Sequence, residues 1–354
     1  MSRSNAGSIS LVGDLMLRQR LRTLRRDHDA GLDGAIAAMR ESEVVTANLE
    51  MPLSRRGSKM LKNSSLRSDP EIIEDVREMG IHAVSLANNH MMDYGSEALA
   101  DTLSACDDAG ILRCGAGLNL AEALAPCWLE AGGKRVALLS VSSTLPLGSE
   151  AYESMPGIAP IRVQFSLEVD TNLINEQPGT MPVVHSWARA EDQELVCGQV
   201  RELAAQAELV IVAIHWGVPS WWLSPYQGLL ATYQQPLGHA LIDAGAGVVF
   251  GHHSHSLHGI EAYNGAPIFY SAGNFIFERP RGFMEPESLI ARITIGAGNA
   301  LGVEIVPLWV DERGLPELAT GEVAGRVLDK LAALSAPFNT RLEVEDDTAW
   351  LVLS

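Results

Sequence analysis

Cysteine is scarce in this sequence, with four among 354 residues. None of the four forms a C-x-x-C pair, and all stand far from the densest histidine cluster. This spacing does not predict thiolate metal ligands, and reduced thiols are expected in place of disulfides. The sequence therefore predicts core positions for Cys106, Cys114, Cys127 and Cys197.

Long apolar runs are also missing. No run reaches the roughly 18 residues of a membrane-spanning helix, and residues 1–7 are polar, unlike a signal peptide. The sequence thus predicts a cytoplasmic protein without a membrane partner. A hydrophobic content of 47% is enough for a large buried core.

Positive charge is in deficit, since 26 Lys and Arg face 44 Asp and Glu, a formal net charge of −18. A chain this acidic repels polyanions, so we expect no nucleic-acid partner. Two basic stretches, residues 18–26 and 55–67, are interpreted as solvated surface. The second follows the segment of Asn48 and Glu50, and its Lys62 is a candidate for binding a substrate carboxylate.

Short β-rich runs alternate with helical patterns, which predicts an α/β fold. Residues 1–300 are interpreted as one enzyme domain, with residues 301–354 as a strand-and-helix extension packed on its core. Residues 144–190, rich in Pro and Gly, predict a long excursion and are a candidate lid. The predicted strands are 8–12, 44–47, 83–86, 135–141, 209–214, 248–250 and 268–270, and the predicted helices are 31–41, 70–79, 96–109, 192–207 and 229–243.

Metal-competent side chains follow these apolar runs. Because strand ends in an open α/β sheet converge on one crevice, residues distant in sequence are expected to meet there. Burying so many polar groups is costly unless a metal compensates. The runs end in Asp14, in Asn48 and Glu50, in Asn88, Asn89, His90 and Asp93, in His215, in His252, His253 and His255, and in Asn274.

Each of these residues alone is weak evidence. A lone histidine on an apolar strand, such as His215, is more often a core residue than a ligand. The H-x-H of His253 and His255 is sharper, because alternate residues of an extended segment face one side. Taken together, imidazole, carboxylate and amide oxygen form a ligand mixture that divalent cations accept, with Ca, Mn, Fe and Zn as candidates.

The blocks GDLML, ANLEMPL, SLANNHMMDYG, GAGLN, HWG, GHHSHSLHGIE and YSAGNFIF, in this order, resemble the signature of the CapA/PgsA capsule-synthesis family. The resemblance covers roughly residues 8–280. It implies a fold similar to calcineurin-like metallophosphoesterases, with a two-sheet core flanked by helices and an active site at the C-terminal ends of the strands. By this resemblance the metal ligands are Asp14, Glu50 as the bridging acid, Asn89, His215, His253 and His255, with His90 in the G-N-H block.

The chain departs from the phosphoesterase pattern at Met16, where the first block normally carries a histidine. One ligand is therefore absent, and we expect roughly one bound ion instead of two. The expected lack of a membrane anchor and the net charge of −18 argue against handling an anionic polymer such as poly-γ-glutamate.

Four aromatic residues, Trp216, Trp221, Trp222 and Tyr226, follow His215. They fit either core packing or a surface that holds an apolar substrate group. On the second interpretation Trp216, Trp221 and Trp222 bind substrate. The further substrate-binding candidates in the crevice are Asn48, Lys62 and Asn274.

Three functions fit these residues. The first is inversion of a Cα centre, at the C-terminal residue of a ribosomal precursor peptide, as in the lasso-peptide epimerases that resemble this family. His90, oriented by Asp93, and His252 are then the candidate proton carriers on opposite faces. The alternatives are phosphoester hydrolysis and a role in capsule or poly-γ-glutamate biosynthesis. A peptide is the expected partner, and the sequence leaves the oligomeric state open.

Overall fold

The computed structural model describes residues 6–223, 228–278 and 285–353. Within this part of the chain, no helix has both the length and the apolar composition for crossing a membrane. The strands are β1 Gly7–Met16, β2 Val44–Leu49, β3 Ala83–Ser85, β4 Leu112–Cys114, β5 Ala116–Gly117, β6 Cys127–Ala131, β7 Lys134–Ser142, β8 Gly157–Ile158, β9 Val163–Glu168, β10 Val183–Ala188, β11 Leu209–His215, β12 Val248–His252, β13 Ile260–Tyr263, β14 Ala266–Phe269, β15 Asn274–Phe277, β16 Glu287–Ile295, β17 Leu301–Val310, β18 Pro316–Leu318, β19 Leu342–Glu345 and β20 Thr348–Leu351. The helices are α1 Leu21–Leu24, α2 Ala30–Met39, α3 Ile72–Glu78, α4 Gly95–Ala109, α5 Leu120–Ala123, α6 Thr171–Glu176, α7 Ala190–Ala204, α8 Gln234–Asp243 and α9 Gly321–Ser335.

Two sheets form the core. The larger runs β19-β20-β17-β16-β1-β2-β3-β4, with β15 beside β1 and β18 beside β17, and the smaller runs β13-β14-β12-β11-β7-β6. All seven predicted strands overlap observed ones, and the predicted α/β class with a two-sheet core flanked by helices is confirmed. The predicted helix 229–243 begins only at Gln234, with Pro236 in its first turn, where the missing N–H costs nothing.

The buried apolar residues form three clusters, and alternate side chains of a strand such as β7 face different clusters. On β7, Val136 and Leu138 face the cluster between the sheets, whereas Ala137 and Leu139 face the cluster under α7 and α8. This is the period-two pattern of a strand buried on both faces. A third cluster lies beneath α2, α3 and α4 on the outer face of the larger sheet. The cysteines are free and buried, as the sequence predicts.

Parallel strands bring the chemical groups to one edge. In the larger sheet β1, β2 and β3 are parallel, and Asp14 is in register with Asn48 and Asn274. In the smaller sheet β7, β11 and β12 are parallel, and His215 is in register with His252. Both sheets therefore deliver polar residues at the carboxyl ends of their parallel strands.

The excursion at residues 144–190 is more ordered than its composition indicates. It contains β8, which pairs with β5, and a two-stranded ribbon of β9 and β10 joined through α6. At its base Arg162 forms an ion pair with Asp192. After residue 300, β17 pairs along its whole length with β16, so residues 301–310 form a strand of the larger sheet.

Candidate metal centre

Asp14 reaches the centre because β1 can approach β15 very closely. A Cβ atom on Gly13 would lie 2.0 Å from the carbonyl oxygen of Gly273, so only glycine fits there. The amide of Asp14 donates to that same carbonyl at 3.1 Å. The side-chain amide of Asn48 donates a hydrogen bond to Oδ1 of Asp14 at 2.8 Å. The side chain of Asp14 is fully buried.

Glu50 lies in the middle of the cluster. It directly follows β2, its backbone amide donates to the carbonyl of Leu15, and its side chain is fully buried. The Oε1 atom lies 3.7 Å from the Nε2 atoms of His215 and His255, and 3.9 Å from that of His90. One carboxylate oxygen thus faces three imidazoles, one from the end of β11 and two from separate loops.

The first group of ligand atoms comes from Glu50, His215 and His253. Nε2 of His215 lies 3.1 Å from Nδ1 of His253 and 2.9 Å from Oδ1 of Asn89. Burial lowers the pKa of His253 to about 3, and burial followed by the nearby His253 holds the pKa of His215 well below its usual value. Both rings are therefore neutral near pH 7 and offer lone pairs.

The second group comes from Asp14, Glu50 and His255. Nδ1 of His255 lies 3.3 Å from Oδ2 of Asp14 and 2.9 Å from Oδ1 of Asn274. Burial opposes ionisation of Asp14, but the hydrogen bond with His255 and the surrounding histidines hold its pKa well below the usual range. Both groups contain Glu50, as a bridging acid would require, and the bridging role that the family resemblance implies stays a prediction.

His253 and His255 converge for a different reason from the one expected. They lie in a bend after β12, not in an extended strand, and their φ angles are 98° and 52°. A positive φ is uncommon for a residue with a side chain and marks a strained, often functional, backbone. The prediction that the two residues alternate along an extended strand is therefore wrong; the bend places one histidine in each ligand group, and their binding of a metal ion stays a prediction.

The donor set fits a divalent cation. Asp14, Glu50 and Asp93 bring three buried carboxylates, and the ammonium of Lys62 is paired with Asp93. Buried carboxylates beside imidazoles and amide oxygens are a donor mixture that a divalent ion accepts. Ligand atoms around one ion at about 2.1 Å are roughly 3.0–3.4 Å apart, close to the spacings seen around His215.

Beside the ligand groups, His90, Asp93 and Lys62 form a connected set. Nδ1 of His90 lies 2.6 Å from Oδ2 of Asp93, and Nζ of Lys62 donates to Oδ1 of Asp93 at 2.6 Å. The same ammonium donates to the carbonyl of Asn89 at 2.6 Å. Two of its three donors are thus used within the protein, which leaves Lys62 little capacity to hold a substrate carboxylate.

Two of the other candidates lie deeper than expected. His252 is 2% exposed, packs edge-on against Phe250, and its Nε2 lies 3.4 Å from the carbonyl of Val12. Trp216 is a core residue and not a substrate contact, because it is 1% exposed, stacks on Tyr270, and donates its indole N–H to the carbonyl of that tyrosine.

The other aromatic candidates lie at the surface or beyond the described residues. Trp221 and Trp222 are 48% and 71% exposed, in a short 3₁₀ helix that follows β11. Their role as substrate contacts stays a prediction. Tyr226 lies outside the described residues.

The sequence analysis counted Asn88 among the metal-competent side chains, but the structure shows that it organises the loop. It is fully buried, its side-chain amide donates to Asn48 at 3.1 Å and to the carbonyl of Leu49 at 2.9 Å, and its oxygen accepts the amide of His90. It therefore holds Asn48 and His90 in place. In the sequence, the two consecutive asparagines before His90 were the one sign that this loop needs an additional buried amide.

Comparison with known proteins gives a consistent result. The family described as bacterial capsule synthesis protein PGA_cap matches residues 8–279. Capsule biosynthesis protein CapA of Bacillus anthracis is 28% identical over 319 residues, which cover 88% of this chain and 69% of that protein. Uncharacterized protein y4sH of Sinorhizobium fredii is 26% identical and covers 95% and 90%, and PGA biosynthesis protein CapA of Bacillus subtilis is 28% identical and covers 77% and 63%.

Proposed function

Because this chain belongs to the bacterial capsule synthesis protein family PGA_cap, whose match includes every candidate ligand, we propose that it is a metal-dependent acid/base enzyme. Its proposed reaction inverts a Cα centre at the C-terminal residue of a peptide. The observation that carries the proposal is the His90–Asp93 pair, buried 3.9 Å from the shared ligand Glu50. A metallohydrolase needs a water activated at the ion, whereas proton removal from carbon needs a base placed beside it.

His90 is the proposed base. A carboxylate only accepts hydrogen bonds, so Nδ1 of His90 carries the proton that faces Asp93 and Nε2 keeps its lone pair toward the centre. Burial lowers the pKa of His90, while Asp93 acts in the opposite direction. The ring is therefore neutral near pH 7 and can accept a Cα proton at Nε2, and Asp93 stabilises the imidazolium that results.

Inversion requires a second proton carrier on the opposite face. His252 was the sequence candidate, but its buried ring packs on Phe250. His255 is more open, with a side chain 12% exposed, and it lies beside both Asp14 and Glu50. When the single expected ion is held without His255, the ring of His255 is not occupied as a ligand, and we therefore extend the proposal to His255 as the donor that returns the proton.

When bound, a divalent cation supplies positive charge that stabilises the negative charge developing on the substrate's carboxylate as the proton leaves. Asp14, Glu50, His215, His253 and Asn89 would hold it. The side chains of this centre exclude bulk water, since the carboxylates are fully buried. That exclusion strengthens each electrostatic contact and prevents loss of the transferred proton.

Deuterium exchange tests the proposal. Candidate precursor peptides encoded beside the gene, and synthetic peptides that end in each of the twenty residues, are incubated with metal-loaded protein in D₂O. We expect one deuterium at the terminal Cα of one peptide, from either stereoisomer, with every peptide bond intact. His90→Ala should slow exchange by roughly 10²–10⁴. Absence of exchange in every peptide would reject the epimerase.

A role in capsule biosynthesis is the second candidate, and the names of the CapA relatives support it. Under this alternative the substrate is a γ-glutamyl polymer, and the same centre acts on it. Incubation with γ-glutamyl oligomers distinguishes the two, because a change in their length or stereochemistry that Glu50→Gln abolishes would favour the capsule role.

A further inference from the structure

The ribbon of β9 and β10 carries an exposed strand. Residues 164–168 of β9 are all exposed, whereas most residues of β10 are half-buried. Two of them are large and apolar, since Phe165 is 69% exposed and Leu167 is 56% exposed. At the base of the ribbon, Val163 and Ala188 still pack against the cluster under α7 and α8. The apolar face of β9 thus continues from the core of the protein out into solvent.

The hydrogen bonds of the ribbon identify the backbone groups of β9 that point outward. In an antiparallel pair, residues that exchange both hydrogen bonds alternate with residues whose N–H and C=O groups face away. The amide of Arg189 donates to the carbonyl of Arg162 at 2.8 Å, one step before the first pair of the ladder. Even-numbered residues of β9 therefore bond to β10. The N–H and C=O groups of Val163, Phe165 and Leu167 point away from it.

The opposite edge of the ribbon is already occupied. The same alternation makes Ser186 of β10 point outward, and the hydroxyl of Thr232 bonds both of its backbone groups. This hydroxyl accepts from the amide of Ser186 at 2.6 Å and donates to its carbonyl at 3.1 Å. No residue that the structure describes bonds the outward groups of Val163, Phe165 and Leu167. The open edge of the ribbon is therefore that of β9.

The composition of this edge suits pairing with another strand. Native proteins protect edge strands with charged residues, proline or bulges. Residues 163–167 contain neither a charged residue nor proline, and a two-stranded ribbon is only marginally stable by itself in water. By contrast, β19 at the edge of the larger sheet carries Glu343 and Glu345. The edge of β9 thus lacks the protection that β19 has.

We propose that β9 pairs with β9 of a second copy of this chain, antiparallel and about a two-fold axis at Phe165. In this register Phe165 faces the same residue of the second copy, and Val163 faces Leu167. All three residues then exchange their outward N–H and C=O groups, so that the two ribbons form one four-stranded sheet. This inference does not depend on the proposed function, because it concerns a surface outside the candidate metal centre.

Charge favours a second copy as the occupant. In the same register Arg162 lies opposite Glu168 of the second copy, and the two-fold axis repeats this pair at the other end of the strand. Asp192 orients Arg162, and His185 orients Glu168, within each copy. The net charge of −18 repels a second copy, but at 0.15 M salt this repulsion is screened beyond about 8 Å. A peptide of unrelated sequence would not match both ends of β9.

Sedimentation velocity of the full chain tests association. An interface of one strand pair and a few apolar side chains is at the small end for specific association, so we expect a dissociation constant of roughly 1–100 µM. Phe165→Asp should weaken association about tenfold or more, because it places two like charges directly opposite each other. Val344→Asp is the matched control on the edge strand β19. Val344 is also exposed, at 58%, and its substitution should leave association unchanged.

Proline substitutions test the backbone hydrogen bonds. Leu167→Pro removes an N–H that points away from β10, so the ladder of the ribbon stays intact while the dimer loses one bond from each copy. Association should weaken roughly tenfold or more. Val184→Pro removes an outward N–H from the opposite edge and should leave association unchanged. If the melting temperature shows that Leu167→Pro misfolds, Phe165→Asp at an exposed side chain still gives a decision.

Disulfide cross-linking tests the register. The Cα atoms of a hydrogen-bonded antiparallel pair are about 5.5 Å apart, which suits a disulfide. Phe165→Cys with oxidised glutathione should therefore give a covalent dimer on non-reducing gels. Ser166→Cys is the control, because its residue opposite is Gln164 and the two new thiols would lie on residues about 8 Å apart. The native cysteines are buried and should not cross-link.

Three results would overturn the inference. They are a monomer up to about 500 µM protein, association that both Phe165→Asp and Leu167→Pro leave intact, and equal cross-linking of Phe165→Cys and Ser166→Cys. If the protein is monomeric and Leu167→Pro raises the KM for a peptide, a substrate strand is the occupant of β9, and this too would overturn the pairing of two copies.

Discussion

The Nζ atom of Lys62 lies 2.6 Å from Oδ1 of Asp93, while Oδ2 of the same carboxylate lies 2.6 Å from Nδ1 of His90. Asp93 is thus shared between a permanent cation and an imidazole. The amide of Leu66 also donates to Oδ2 at 2.6 Å, which fixes the carboxylate in the loop of residues 55–67. Lys62 therefore limits how strongly Asp93 can favour the protonated form of His90.

Replacing Lys62 tests this relationship. The positive charge of Lys62 lowers the pKa of His90. Removing that charge in Lys62→Met should therefore raise the pKa of His90. The acid limb of the rate–pH profile should move to higher pH, with metal content unchanged. Lys62→Arg keeps the charge and should retain the wild-type profile. A profile that does not move in Lys62→Met would contradict this role.

The loss of metal in a variant should be larger when the replaced residue belongs to both ligand groups than when it belongs to one. Wild-type protein is expected to hold roughly one divalent ion, because Met16 lies in an apolar cluster and adds no ligand. Glu50 belongs to both groups, so Glu50→Gln should remove more metal than His253→Ala does. Elemental analysis measures this, with the exposed Glu176→Gln as control. Two equivalents in the wild type would show that the position of Met16 does not limit the site.

Generic phosphoesters should be turned over near background. The phosphatase pattern needs a histidine where this chain has the buried Met16. Assays of p-nitrophenyl phosphate and its diester with Mn²⁺, Zn²⁺, Ca²⁺ and Mg²⁺ measure this. Rapid hydrolysis that is abolished by His90→Ala would support a phosphoesterase instead of an epimerase.

His252 and His255 can be separated by single substitutions. We expect His255→Ala to block exchange from one stereoisomer more than from the other, because each proton carrier serves one face. His252→Ala should act mainly on stability, by about 1–3 kcal/mol, since its ring fills a buried position between Phe250 and the carbonyl of Val12. If exchange stops in His252→Ala while metal and stability are kept, His252 is the second carrier.

His258 predicts a loss of stability in acid. Burial lowers the pKa of His258 to about 4 in the folded protein, against about 6.5 in an unfolded chain. Between these values the unfolded state binds more protons, so stability is complete above about pH 6.5 and falls as the pH drops towards 4. Urea unfolding at pH 7 and pH 5 should show a loss about 2 kcal/mol smaller in His258→Leu than in the wild type. Equal losses of stability in the two proteins would contradict a lowered pKa of His258 in the folded state.

The sequence predicts the strands and the gathering of side chains at their ends, because both depend on local patterns. The apolar run before His215 marks β11, and parallel pairing then brings the strand ends to one edge. Other features depend on distant atoms. Trp216 is drawn into the core because Gly251 opposite it has no Cβ, which would lie 2.4 Å from the indole nitrogen. No window of sequence around Trp216 contains that fact.

The bend at His253 and His255 could not be predicted for a related reason. Histidine has no strong preference for positive φ, and the strain is tolerated because surrounding contacts hold each ring. Likewise, the position of Lys62 depends on the contact between its loop and the turn that contains Asp93, where the backbone amide of Met60 donates to the carbonyl of Asp93. Contacts of this kind between distant segments are properties of the tertiary structure.

The pairing of β1 with β15 and β16 has a consequence for biosynthesis. Asp14 and its neighbour Asn274 are 260 positions apart in the chain, an interval that a ribosome needs roughly 13–52 s to translate. During that time β1 has no partner along one edge, and an open edge of apolar strand invites pairing with other chains. The centre therefore forms only after most of the protein has been translated, and the nascent chain should depend on chaperones to protect its first strand.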